Sequence, residues 1–130
     1  MIEPERAERL IKAATASRAN AISNRSGFAV GAAIETEDGA IYGGCNVENA
    51  TYGLTVCAER VAIWKALSEG VRKFRAVAVV TGADTPTPTC GACRQILWEF
   101  AGDVPVVSAT VSGARKLYRM ADLLPEPFEF

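Results

Sequence analysis

Two short stretches of this chain carry residues able to do chemistry: Cys57-Ala58-Glu59 and, further along, Cys90-Gly91-Ala92-Cys93. Three thiolates can hold one Zn²⁺ and leave its fourth position open for water. Structural zinc sites usually close all four positions, whereas catalytic sites keep one open. A carboxylate two residues after the first ligand can move that water's protons. The chain has four cysteines and no histidine, so the open arrangement leaves one thiol over. That thiol, Cys45, ends an apolar run just after Gly43-Gly44 and reads as buried and inert, although as a fourth ligand it would close the site. Taken singly, these residues are ordinary. A Cys-x-x-Cys pair serves redox or structural roles equally well, and Glu59 and Arg60 would be surface charges on a helix. The combination is what points to a hydrolytic zinc centre.

The elements that must position these groups follow from periodicity. Pro4 to about Ile22 reads as a helix, with Ala7, Leu10, Ile11 and Ala14 on one face and proline in the first turn. Ser23-Asn24-Arg25-Ser26-Gly27 is a polar loop. Phe28–Thr36 and Ala40–Asn46 read as strands joined at Glu37-Asp38-Gly39, a strong hairpin signal. Residues 46–55 form a loop. Cys57 to about Glu69 is helical, with Val61, Ile63, Trp64 and Leu67 marking the buried side and Gly70 closing it. Ala76–Thr81 is a continuous apolar run, expected of a strand covered on both faces. The segment Thr85–Thr89, with two prolines, is a rigid loop into Cys90. Gly91 to about Phe100 is helical with Ile96, Leu97 and Phe100 inward. Val104–Ala109 and Thr110–Lys116 complete five strands, and Tyr118–Leu124 is a short last helix. This order predicts one domain over residues 1–130, an α/β fold: a three-layer α/β/α sandwich around a central mixed five-stranded sheet.

Both cysteine clusters fall where a loop enters a helix. The unpaired N–H groups and partial positive charge there favour the thiolate. Cys90 and Cys93, three apart, share a helix face and can bind the same ion. Three thiolates on Zn²⁺ leave a net charge of −1 and a less acidic bound water. Arg60, beside Glu59, is placed to offset that charge.

Composition narrows the partners. At 130 residues, 49% hydrophobic and 22% charged, the chain suits one globular domain with a proper core. A formal net charge of −1 provides no basic field for a polyanion, so no nucleic-acid partner is expected. The basic cluster Arg72-Lys73-Phe74-Arg75 reads as a solvated helix-to-strand turn. No apolar stretch approaches the roughly 20 residues of a membrane span, and the charged N-terminus lacks a signal-peptide core. A cytoplasmic location is therefore expected. In a reducing compartment, cysteines serve metals or catalysis more often than disulfides.

A ligand residue, one spacer, Glu, and then Cys-x-x-Cys is the signature of zinc-dependent nucleobase deaminases. The chain resembles the cytidine deaminases, specifically the small homotetrameric type with three cysteine ligands. The resemblance spans nearly the whole chain and rests on long ordered stretches. These are Phe28-Ala29-Val30-Gly31-Ala32, Gly44 to Ala50, Tyr52 to Arg60, Cys90-Gly91-Ala92-Cys93-Arg94-Gln95 and Leu123-Leu124-Pro125. It implies one zinc per chain on Cys57, Cys90 and Cys93, with Glu59 as proton shuttle. It implies that Asn46 and Glu48 bind the ribose hydroxyls, that Phe28 packs on the pyrimidine and that the Ala58 N–H meets the base carbonyl. It also implies that Ala50, Tyr52 and Phe128 reach a neighbouring subunit's site in a homotetramer. The residues make the same sense unaided: Asn and Glu two apart at a strand end point the same way and offer donor and acceptor to a diol. An uncharged base needs shape, stacking and edge hydrogen bonds.

Two departures bear on specificity. The family usually carries an aromatic residue and a proline before Phe28, where residues 23–27 stand here, and a proline before the second ligand, where this chain has Thr89. The expected reaction is hydrolysis of cytidine and 2′-deoxycytidine to uridine, 2′-deoxyuridine and ammonia, a step of pyrimidine salvage. The nearest rival is deamination of modified cytosine nucleosides such as blasticidin S or N4-substituted cytidines. A zinc-stabilised scaffold without turnover is the rival of another class.

Overall fold

The computed structural model describes residues 2–129. Helix α1 (Pro4–Arg18) leads into strands β1 (Val30–Thr36) and β2 (Ile41–Cys45), then, past a 3-10 turn at Tyr52–Leu54, into helix α2 (Ala58–Ser68). Strand β3 (Phe74–Thr81), helix α3 (Gly91–Ala101), strands β4 (Pro105–Thr110) and β5 (Arg115–Arg119) and the short helix α4 (Met120–Leu123) follow. The strands form one mixed sheet in the order β2-β1-β3-β4-β5. Among the five strands of the described residues β3 and β4 run parallel, with α3 between them in the chain, and the other strand pairs are antiparallel.

The side-chain period of two divides the sheet into two cores. On β3, Val77 and Val79 face one cluster with Ala58, Ala62, Ile63 and Ala66 of α2 and Leu97 of α3. Ala76, Ala78 and Val80 face the other, with Leu10, Ile11 and Ala14 of α1. The expected three layers are therefore present, with α1 alone on one face and both cysteine-bearing helices on the other. Beneath α1, Glu35 is only 1% exposed. It accepts hydrogen bonds from Arg6 Nη2 at 2.7 Å and Arg75 Nη2 at 3.1 Å. Burial acts to raise its pKa, but those two guanidiniums outweigh burial and hold the carboxyl below its ordinary value. This ion cluster ties α1, β1 and β3 together.

Several boundaries differ from expectation. α1 stops at Arg18 rather than near Ile22. The Ile22 N–H goes instead to the Asn46 carbonyl at 3.0 Å, and its carbonyl takes the Glu48 N–H at 2.9 Å. β1 begins at Val30 rather than Phe28, because side chains take the Phe28 backbone: Ser26 Oγ accepts its N–H and Asn46 Nδ2 donates to its carbonyl. β3 begins at Phe74, so Phe74 is buried in the core and only Arg72 and Lys73 of the basic cluster lie in the loop. Thr110 ends β4, and residues 111–114 turn through Gly113 at φ +106°, so β5 starts at Arg115 and not at Thr110. Tyr118 pairs with Val106 in β5, which shortens the last helix to Met120–Leu123.

The buried faces of the site helices also differ from expectation. Trp64 and Phe100, expected inside, are 45% and 39% exposed. α2 buries small residues because it lies very close to β2. A Cβ at Gly44 would sit 2.5 Å from the Ala58 carbonyl oxygen and 2.6 Å from the Ala62 nitrogen. At that separation alanine fits and tryptophan does not. Because both obstructing atoms are backbone, Gly44→Ala must push α2 off the sheet. A stability loss of about 1–3 kcal/mol or more is expected in denaturant melts, the usual scale of overpacking, together with weaker metal retention. Wild-type stability and metal content in that variant would contradict the close approach.

Candidate active site

Cys57 and Cys90 are the N-cap residues of α2 and α3, each in extended conformation. Cys93 lies one turn into α3 and is buried. The two helix N-termini thus converge on the expected three thiols. Cys57 Sγ lies 3.7 Å from Cys90 Sγ, which is 3.3 Å from Cys93 Sγ, and all three sulfurs fall within 4.8 Å of one another. Zinc–sulfur bonds of about 2.3 Å at tetrahedral angles require sulfurs roughly 3.8 Å apart, so the cluster fits a zinc ion. Cys45 lies outside this cluster and is half-buried rather than buried.

Charge is distributed unevenly around the sulfurs. Arg60 Nη2 donates to Cys57 Sγ at 3.2 Å, and the guanidinium lies 6.0 Å from the Trp64 ring centroid. The Cys57 thiol is drawn down to about 5, chiefly by the Cys93 thiol's hydrogen bond and then by Arg60 and Cys90, against burial. Cys93 is shifted the other way, because its proton is held between the sulfurs and its position is buried. Glu59, in the first turn of α2, is 5% exposed. Burial, with a further push from Cys57, raises its carboxyl to about 7. A carboxyl that titrates near neutrality can both accept and deliver a proton.

Glu59, Cys57 and Cys90 line a cavity of about 270 Å³ whose walls include Phe28, Asn46 and Glu48. Ala58 also lines it, and its N–H belongs to the first helical turn, where no intrahelical partner exists. A larger open groove of about 660 Å³ lies by the Thr36–Ala40 turn, lined by residues such as Tyr42, Arg72 and Lys73 and by no cysteine. Of the two, the smaller cavity is the one that Glu59, Cys57 and Cys90 border.

Asn46 and Glu48 stand side by side as expected, but both are engaged by the protein itself. Asn46 Oδ1 accepts the Val30 N–H at 2.9 Å, and its Nδ2 donates to the Phe28 carbonyl at 2.9 Å. The Glu48 carboxylate accepts the N–H groups of Arg25 and Ser26 at 3.0 and 2.9 Å and the Ser26 hydroxyl at 2.5 Å. Those donors, the Ser26 hydroxyl foremost, hold the carboxyl below its ordinary value. Ala50, Tyr52 and Phe128 are exposed and are not among the residues lining this cavity. Tyr52 lies under the Arg25 guanidinium at 5.7 Å.

Three residues were not singled out from the sequence. Ser26 gave no signal beyond membership of a polar loop. Gln95 grips the Phe128 main chain with both ends of its amide, each bond 3.0 Å. Arg94 donates to the carbonyls of Thr89 and Leu123 at 2.8 and 2.9 Å, tying the ligand loop to the C-terminal segment. Arg94 and Gln95 directly follow Cys93, and that adjacency was the available signal.

The family model described as "Cytidine and deoxycytidylate deaminase zinc-binding region" matches residues 4–110. A cytidine deaminase of Sporosarcina psychrophila is 47% identical, over 93% of this chain and 90% of that one. One from Halalkalibacterium halodurans is 45% identical, over 92% and 91% respectively. The crystal structure of cytidine deaminase from Burkholderia pseudomallei superposes with a TM-score of 0.90 at 45% identity, covering 93% of this chain and 98% of that one.

The cluster makes a direct prediction about the metal. X-ray absorption on purified protein should report about one zinc per chain, with three sulfurs near 2.3 Å and one oxygen or nitrogen. A shell of four sulfurs would mean that Cys45 closes the site.

Proposed function

Because this chain belongs to the cytidine and deoxycytidylate deaminase zinc-binding family, we propose that it hydrolyses cytidine and 2′-deoxycytidine to uridine, 2′-deoxyuridine and ammonia. One observation supports this above the rest. A buried carboxyl with its pKa raised to about 7 lines a small cavity together with Cys57 and Cys90, two members of the three-sulfur cluster. When bound on Cys57, Cys90 and Cys93, Zn²⁺ supplies Lewis-acid activation of a water molecule.

The chain's own residues account for the remaining steps. Glu59 takes a proton from the attacking water and passes it to N3 as the water oxygen bonds to C4. Glu59 then moves the hydroxyl proton to the exocyclic amine, the C4–N bond breaks, and ammonia leaves as the C4 carbonyl forms. Arg60 holds the Cys57 sulfur and offsets its charge. Phe28 packs on the base, and the Ala58 N–H meets the base carbonyl. Asn46 and Glu48 receive the sugar hydroxyls: Glu48 through the Oε2 position that only the long Asn46 Nδ2 contact reaches, Asn46 through the second lone pair of Oδ1.

The Asn46-x-Glu48 pair at the cavity wall favours a nucleoside with an ordinary hydroxylated sugar over one whose sugar is altered. The net charge of −1 favours it over a polynucleotide. The reaction is a step of pyrimidine salvage in the cytoplasm. A homotetramer accords with the exposed apolar residues Ile22, Tyr52, Leu54, Trp64 and Phe128. In that assembly Ala50, Tyr52 and Phe128 complete a neighbour's site.

The test is loss of cytidine absorbance with release of ammonia. Glu59→Gln should keep zinc and fold while lowering kcat by about 10²–10⁴-fold or more. Near-normal turnover of that variant would refute the proton path, and a zinc-bound wild type without turnover would favour the scaffold. Light scattering should report a mass near four chains. Removing residues 126–130 should impair turnover while zinc content stays at the wild-type level, and full activity of that truncated chain would refute the shared site.

A further inference from the structure

The Ser26 hydroxyl joins two walls of the cavity. It donates to Glu48 Oε2 at 2.5 Å and accepts the Phe28 N–H at 3.0 Å. Gly27, at φ +70°, lets the chain turn between Ser26 and Phe28 so that this double contact forms. A carboxylate offers about four lone-pair positions. On Glu48, the N–H groups of Arg25 and Ser26 fill the two on Oε1, and the Ser26 hydroxyl fills one on Oε2. The fourth meets only Asn46 Nδ2, at 3.4 Å. That weakly held position is where an incoming hydroxyl can bind well, and its direction is set by the Ser26 contact on the same oxygen. Without that contact Oε2 keeps only the long Asn46 Nδ2 contact while Oε1 keeps its two N–H groups, so Oε2 is held less firmly in direction, and the Phe28 N–H loses its acceptor.

We propose that Ser26 is a positioning residue that sets specificity for the sugar, acting through Glu48. It aims the Glu48 acceptor at a sugar hydroxyl. The inference rests on the reading of Glu48 as the sugar acceptor. It predicts that the enzyme's preference for a hydroxylated sugar is carried by this one side chain in the loop.

The test compares wild type, Ser26→Ala and Ser26→Thr on cytidine and on 2′,3′-dideoxycytidine, with zinc content and Tm measured alongside. In Ser26→Ala, KM for cytidine should rise roughly ten-fold, the scale of one hydrogen bond to a charged group. Its kcat should stay within about two-fold, and the preference for cytidine over the dideoxy nucleoside should shrink by the same factor as KM rises. Ser26→Thr, which keeps the hydroxyl, should restore the preference. Purely structural damage would instead lower kcat/KM equally for both substrates and leave the preference intact, and that result would overturn the proposal. A Ser26→Thr variant resembling Ser26→Ala would also overturn it. A wild type indifferent to the sugar hydroxyls would overturn the reading of Glu48 and this inference together. A wild type that prefers cytidine, with Ser26→Ala unchanged, would sink the role of Ser26 alone.

Discussion

The structure depends on bringing two helix N-termini to one point. Three thiolates within 4.8 Å of one another repel, and carbon-rich surroundings would make their charge more costly still. The N-termini of α2 and α3 supply partial positive charge where Cys57 and Cys90 cap them, and Arg60 adds a full charge on Cys57. That convergence needs α2 to lie almost on the sheet, which Gly44 permits and the alanine face of α2 exploits. The parallel β3–β4 pair spanned by α3 fixes the second N-terminus beside the first. A feature as general as a crossover connection is thus bound to the position of one sulfur atom.

The opposite wall follows a different rule. Phe28, Asn46 and Glu48 belong to irregular segments, where no ladder of backbone hydrogen bonds holds them. Side chains do that instead: Asn46 straps the start of β1 through its amide, and the loop before Phe28 grips Glu48 with two N–H groups and a hydroxyl. Helices build the sulfur side, whereas the opposite side is ordered because its polar groups satisfy one another. Such a wall can change its specificity by altering a few loop residues while the zinc chemistry stays intact. Residues 23–27 include those loop residues, Arg25 and Ser26.

What could be read from the sequence was local or periodic. The Asp38-Gly39 turn, the two-faced strand ending at Thr81 and the loop-to-helix placement of Cys57 and Cys90 depend on neighbouring residues and came out as expected. The misplacements have tertiary causes. Nothing in the α1 pattern announces that Ile22 is drawn off to pair with Asn46 and Glu48. Hydrophobicity places Trp64 inside, but the distance between α2 and β2 decides otherwise, and only the Gly43-Gly44 pair hinted at that distance. The roles of Ser26 and Gln95 depend on partners far away in sequence, Glu48 and Phe128, so composition and spacing could not reveal them.

Three carboxylates show how the fold drives the same side chain towards different protonation behaviour. Glu35 is buried but faces Arg6 and Arg75, and so stays ionised. Glu48 is at the surface and receives several hydrogen bonds, led by the Ser26 hydroxyl, and so stays ionised too. Glu59 is buried with opposing help only from its own backbone N–H and from Arg60, and the charge of Cys57 disfavours its ionisation further. Side chains of the same type are thus driven apart by their surroundings, a pattern that separates acid–base groups from electrostatic ones. Glu35 serves as an anchor and Glu48 as an acceptor. Of the three, only Glu59 stands where giving up and regaining a proton near neutral pH costs little, and it is the one beside the sulfur cluster.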